Sequence, residues 1–221
     1  MRAIIVAVAA AALPLIATGA AAADDTAKQR ETYATAACVV EQEPTMVKAL
    51  LRTLPGSSDE SSVAADLGEI YTACSGDKYA LTISRWSQSL YNGRPAMAAA
   101  AATAAADERG TNVARLSEAS AWYSYAITGK RPGSGYDAVS LGMQEFGTCV
   151  VKAAPDGALQ LVRSKAGSAE ETQALAAIRP ALPGCVVQGK PISMKRDQLR
   201  LMIAEPLYHA IVDGPAAGRR S

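Results

Sequence analysis

Apolar residues recur at three- and four-residue steps along much of the chain beyond residue 27, the period of amphipathic helices. After Pro44, the residues Met46, Val47, Leu50, Leu51 and Leu54 share one face, Pro44 suits a first helical turn, and Pro55-Gly56 marks the stop. Ser57 followed by Glu60 is a capping box that opens another helix, whose stripe is Val63, Leu67, Ile70, Tyr71 and Cys74. The pattern then returns. Ser168 and Glu171 make a second capping box, followed by Ala174, Ile178, Leu182 and Cys185, with Pro180 interrupting this helix and Pro183 and Gly184 marking its end. Earlier helical stretches are expected at 27–42 and 137–153, and fourth helices from near Ser84 and Lys195. Leu199, Met202, Ile203, Leu207 and Ile211 give the last helix a broad apolar face, and Pro206 should bend it. Between the two sets lie an expected Ala96–Ala106 helix and another in which Leu116, Ala119, Trp122, Tyr123, Ala126 and Ile127 share a face. The loop at 129–135 closes this connection. The predicted fold class is all-α.

The four cysteines, Cys38, Cys74, Cys149 and Cys185, fall into two couples with the same spacing of 36 residues. Equal spacing points to an internal duplication, and an ungapped shift of 111 positions tests it. Over residues 38–90, 13 of 53 positions are identical, among them CVV with CVV, Pro44 with Pro155, Arg52 with Arg163, Gly56-Ser57 with Gly167-Ser168, Glu60 with Glu171, and Arg85 with Arg196. Only one of the 13 is alanine, so the matches do not come from composition. Two similar helical units are therefore expected, each closing its own clasp: Cys38 with Cys74 and Cys149 with Cys185. Each bridge would contribute about 4 kcal/mol in the chain-entropy account. The scattered cysteines lack the paired knuckles of a zinc site, and no CxxC redox pair occurs.

Residues 1–23 carry Arg2, an apolar run to about Ala17 and small residues up to Asp24-Asp25, the layout of a secretory signal peptide with expected cleavage after Ala23. The run is too short and too alanine-rich for a stable span, and Pro14 breaks it. The Ala96–Ala106 stretch is also too short to cross a membrane and runs into charge. The expected organisation is a signal peptide at 1–23, a first helical unit with an Ala-rich extension at 24–110, a connecting helix and loop at 111–135, a second unit at 136–213 and a frayed tail at 214–221. A periplasmic or secreted location suits the cystines. Alanine fills 47 of 221 positions and aromatics only 5%, which favours helices over a β-sandwich. With Arg2 removed, 21 basic residues face 21 acidic ones, so no field recruits nucleic acid.

Candidate chemistry is sparse. His209 is the one histidine, which removes multi-histidine zinc sites and HExxH; on the last helix beside Tyr208 it is expected to be a partly exposed helix residue. Ser75-Gly-Asp-Lys78 matches S-x-x-K but follows a cystine, with no SDN or KTG after it. Nucleophile elbows and phosphate-cradling glycine motifs are missing. A carboxylate pair could be drawn from Glu60, Glu69, Glu118, Glu145, Glu171 and Glu205, but Glu60 and Glu171 are explained as caps and isolated glutamates are usually solvated. Arg52 and Arg163 suit helix C-termini, whereas Arg85 and Arg196 sit near helix starts, where the dipole is unfavourable, and so are expected to pair with acids or to bind an anion. The basic turn Lys130-Arg131 reads as solvated. Trp86, Tyr91, Trp122, Tyr123 and Tyr125 cluster in the first unit and the connection, mostly as core; where exposed they would offer a contact surface for sugar or protein. The candidate binding residues are thus Arg85, Arg196, Trp86 and Trp122, with no catalytic, cofactor or metal residues assigned.

The CVV segment, the proline-led helix ending in arginine, G-S-x-x-E, the cysteine 36 residues on and IAEPLY at 203–208 resemble a group of uncharacterised exported proteins of Gram-negative bacteria. The second unit matches better than the first, where IAEPLY has no clear counterpart. The resemblance implies the compartment and the helical clasp but no activity. The expected function is a non-catalytic binding or interaction protein of the bacterial cell envelope, its partner an envelope protein or glycan. A carboxylate-dependent hydrolase of glycan or peptide, and a carrier of a small apolar ligand, are the alternatives.

Overall fold

A computed structural model describes residues 17–76, 83–122, 135–186 and 195–214, with side chains from residues 25–76, 93–122, 141–186 and 195–214. Among these residues the regular structure is entirely helical. Helix α1 (Ala17–Gln42) leads into α2 (Pro44–Leu51), α3 (Ser58–Asp66) and α4 (Gly68–Ser75), and α5 (Ile83–Arg109) completes the first half. After the short α6 (Val113–Leu116), the second half runs α7 (Gly135–Ala153), α8 (Pro155–Arg163), α9 (Ala169–Ile178), a 3₁₀ turn at Arg179–Ala181, α10 (Leu182–Cys185) and α11 (Arg196–Val212). Both sulfur bridges form as expected, Cys38–Cys74 from α1 to α4 and Cys149–Cys185 from α7 to α10. No helix among the described residues is long and apolar enough to cross a membrane.

Local sequence explains the short helices. Pro44 and Pro155 each open a helix, where a missing N–H costs nothing. Ser57 accepts from the Glu60 amide at 3.1 Å, and Ser168 from the Glu171 amide at 3.2 Å, so both capping serines act as expected. Each carboxylate reaches back one residue beyond the cap: Glu60 Oε2 accepts from Gly56 N at 2.6 Å and Glu171 Oε2 from Gly167 N at 2.7 Å. Gly56 and Gly167 have φ of 79° and 75°, a left-handed turn that glycine adopts without cost.

The centre is the packing of α5 along α11, with α1 against α5 and α7 against α11. One hydrophobic core crosses both halves, joining Val39, Leu50 and Leu67 of the first to Val150, Leu161 and Ile178 of the second. Pro95 and Pro206 lie inside α5 and α11, 111 positions apart. Pro206 cannot donate to the carbonyl of Met202, and Gly147 of α7 packs there; a Cβ at Gly147 would fall 2.0 Å from that oxygen.

Several expected boundaries move. The stripe from Val63 to Cys74 is two helices, α3 and α4, that break at Leu67. The expected Ala96–Ala106 helix is the second part of α5, continuous from Ile83 through Pro95, because its buried alanines 96, 98, 99 and 102 pack the same core. The connecting helix is the single turn α6, followed by a bend, so Leu116 and Ala119 are buried without a continuous helix. Tyr123, Ala126, Ile127, the loop up to residue 134 and the tail beyond Gly214 lie outside the described residues.

Candidate binding groove and the buried charge latches

Two arginines are sealed in the core, each only 2% exposed. Arg94 of α5 spends all five N–H donors: Nε and Nη2 hold Glu205 in a fork at 3.0 and 2.6 Å, Nη1 meets Glu60 at 2.8 Å and Thr53 Oγ1 at 3.1 Å, and Nη2 also reaches the Thr53 carbonyl at 2.9 Å. Burial works to lower the guanidinium, but the charges and hydrogen bonds of Glu205 and Glu60 outweigh it and hold Arg94 above its ordinary value. Arg200 of α11 repeats the scheme in the second half: Nη2 meets Glu171 at 2.6 Å and Ser164 Oγ at 3.1 Å, while Nη1 meets the Ser164 carbonyl at 2.5 Å. Glu60 and Glu171 thus do more than cap; each clamps a glycine turn and a buried arginine together. Arg94 also crosses to Glu205, so one guanidinium ties the two halves. The expectation that isolated glutamates are solvated fails for Glu205, which is 7% exposed because this fork neutralises it.

His209 also departs from expectation. It is 3% exposed rather than partly exposed, with Nδ1 2.7 Å from Asp213 Oδ2 and Nε2 3.0 Å from the Leu51 carbonyl. Its ring stacks on Trp122 at 4.6 Å. Both ring nitrogens are therefore spent on structure, joining the last helix to the end of α2. Ser75 Oγ likewise donates to the Thr72 carbonyl at 3.0 Å within its own helix turn.

Open space lies elsewhere. A groove of about 1060 Å³ runs between α1, α5 and the turn from α8 to α9. Its α1 wall carries Arg30, Tyr33, Ala34, Ala37, Val40 and Glu41, at helical spacing on a face separate from the core positions Ala36 and Val39; α5 supplies Ala99, Ala100, Thr103 and Ala104. The floor is small and apolar, and the rim is charged. Arg30 Nε donates to the Ala166 carbonyl at 2.8 Å, fixing the far turn against α1, and Arg163 pairs with Asp107 across the rim. Lys165, Glu41 and Glu108 are exposed there. Tyr33 lies at one end beneath the Arg200 guanidinium, 5.0 Å from the ring centre. Its hydroxyl is buried and makes no hydrogen bond, and burial raises the phenol above its usual value against the opposing pull of Arg200.

The residues singled out from the sequence do not converge on this groove. Arg196 is exposed in the first turn of α11, while Trp122 sits on His209 in its last turns, about 20 Å away along the axis. Arg85 and Trp86 belong to α5, but their side chains lie outside the described residues. Arg52, 58% exposed, stands 4.0 Å from Asp213 at the close of α2. The groove escaped because its α1 face, from Arg30 to Glu41, mixes charged, aromatic and small residues and so carries no chemical signature. The latch arginines escaped because they are 106 positions apart and so never align at a shift of 111. A readable sign was present: Arg94-Pro95 and Glu205-Pro206 occupy corresponding places in the shift, opposite charges before the same residue. Among the described residues no group of His, Cys, Asp and Glu is placed to hold a metal ion. No known protein family, curated protein or solved structure matches the chain.

Proposed function

We propose that the protein is a non-catalytic binding protein of the bacterial cell envelope and that its partner occupies the groove between α1, α5 and the α8–α9 turn. The observation that carries this reading is the division of labour between charge and space. Glu60, Glu171, Glu205 and His209 are committed to holding the fold, whereas the groove of about 1060 Å³ is floored by alanine and valine and rimmed by charge. An apolar floor with a polar rim is the anatomy of a recognition surface. The cystines and the lack of a membrane-crossing helix among the described residues are in keeping with an exported protein. The matched caps, glycine turns and clasps support reading the halves as copies of one ancestral unit, and duplicated helical units commonly offer such grooves.

Photocrosslinking in cells that export the protein tests the reading. A benzophenone amino acid at Glu41 or Glu108, on the rim, is expected to trap a discrete adduct, and the same group at Ser62, exposed on α3, is not. Equal labelling from all three positions, or none from the rim, overturns it. The exported chain should begin at Asp24 by intact mass.

A further inference from the structure

The histidine joint between the halves is one proton short unless the ring is charged. Nε2 faces the Leu51 carbonyl at 3.0 Å and Nδ1 faces Asp213 Oδ2 at 2.7 Å. A carbonyl and a carboxylate only accept, whereas a neutral imidazole has one N–H and one lone pair. Either neutral tautomer therefore sets a lone pair against an oxygen, at Leu51 or at Asp213, around a residue only 3% exposed. Both bonds exist together only in the doubly protonated ring. The sequence explains why Leu51 needs this donor. It ends α2, and the residue four places on, whose amide would ordinarily take its carbonyl, is Pro55, which has no N–H. His209 lies in the last turn of α11, so the negative ends of α2 and α11 meet at the ring. At a shift of 111 positions His209 and Leu51 correspond to Ala98 and Val162, and alanine cannot repeat the joint.

From this we infer that His209 is a proton-dependent latch: charged, it locks the end of α2 to the end of α11, and on losing a proton it lets go of one of them. The joint then loosens on the side where Trp122 stacks on the ring. The switch falls in the range where histidine titrates, about pH 5 to 8, and is independent of the groove. On its own helix the ring meets Glu205 Oε1 at 3.9 Å and Tyr208 edge-on. From α5, Arg94 is spent on Glu205, and Arg109 Nη1 donates to the Val212 carbonyl at 3.2 Å. Arg52, at the close of α2, is 58% exposed and stands 4.0 Å from Asp213. Lys48 of α2, Arg115 of α6, Glu145 and Lys152 of α7 and Asp156 and Arg163 of α8 are exposed. Glu205 and Asp213 are thus already answered by arginine, and what asks for the second ring proton is the placement of two acceptors.

The test uses the intact, oxidised protein, whose single histidine gives one set of ring signals in NMR. Two-bond correlations from the carbon-bound ring protons report each nitrogen as protonated or bare, whether or not its N–H exchanges. At about pH 5.5 both nitrogens should carry a proton, and at about pH 8.5 only one. The Trp122 signals should move in the same titration, since the rings are stacked. Urea midpoints should fall over the same range, because the folded chain gives up a hydrogen bond with the proton and the unfolded chain gives up the proton alone. Asp213→Asn, at a side chain 25% exposed, supplies an amide that can donate to a neutral Nδ1 while Nε2 keeps Leu51. Its midpoint should stay level where that of the parent falls. One protonated nitrogen at both pH values overturns the latch, and two at both values would make the ring a fixed cation and overturn it as well. A parent midpoint that stays level, or a fall that Asp213→Asn leaves intact, does the same.

Discussion

At the residue scale, the most consequential side chains are ones whose letter alone suggests the surface. Arg94 is buried because every donor has an acceptor waiting, including two carboxylates that would otherwise be sealed in without a counterion. Arg94→Met should therefore cost about 3–5 kcal/mol, much of it from stranding Glu205 and Glu60. Adding Glu205→Leu should cost less than the sum of the two single changes, a coupling that urea unfolding of the double-mutant cycle measures directly. Tyr33 presents the opposite case, a buried hydroxyl with no partner. Tyr33→Phe should leave stability unchanged or raise it by up to about 1 kcal/mol. Burial also holds the phenols of Tyr33 and Tyr208 above their usual value. Above about pH 10 the unfolded chain loses these protons while the folded chain keeps them, so the unfolded state binds fewer protons and stability falls as pH rises. Removing Tyr33 should make that alkaline fall shallower, read as urea midpoints at roughly pH 9 and pH 11.

At the element scale, Gly147 is the described glycine at which an added Cβ would meet its neighbour most closely, 2.0 Å from the Met202 carbonyl oxygen of α11. Gly147→Ala forces a methyl against the Met202 carbonyl and should cost at least about 1–3 kcal/mol in thermal or urea unfolding. Gly142→Ala, in the same helix with open space around it, should stabilise by about 0.5–1 kcal/mol, so the pair separates helix propensity from packing. Much at this scale was legible in the sequence. The proline-led starts, the serine caps and the clasp pairing rest on short-range chemistry, and they stand in the structure as the spacing predicted. What misled was length. The break at Leu67 is marked only by Gly68 inside a periodic apolar run, and the run through Pro95 carries a proline without a break, because packing of the buried stretch from Gly93 to Ala99 outweighs one lost backbone bond. The site was the least legible part. A groove exists where three elements fail to fill a space, and no local pattern records a space.

At the scale of the whole molecule, the cystines and the charge latches divide the work. Each cystine closes a loop inside one half, and removing Cys149–Cys185 by double serine substitution should cost about 2–4 kcal/mol. Alkylation of the unfolded, unreduced protein should label no thiol, since all four cysteines are bridged. The joint between halves contains no sulfur. It includes the α5–α11 seam, the Arg94–Glu205 fork, the Arg200–Tyr33 contact, the Arg30–Ala166 and Arg163–Asp107 contacts and the bond from His209 to Leu51. A thiol reductant therefore slackens each lobe from within but leaves the lobes married to each other. Folding in an insufficiently oxidising medium would yield a loosened molecule still of one piece, not two severed modules.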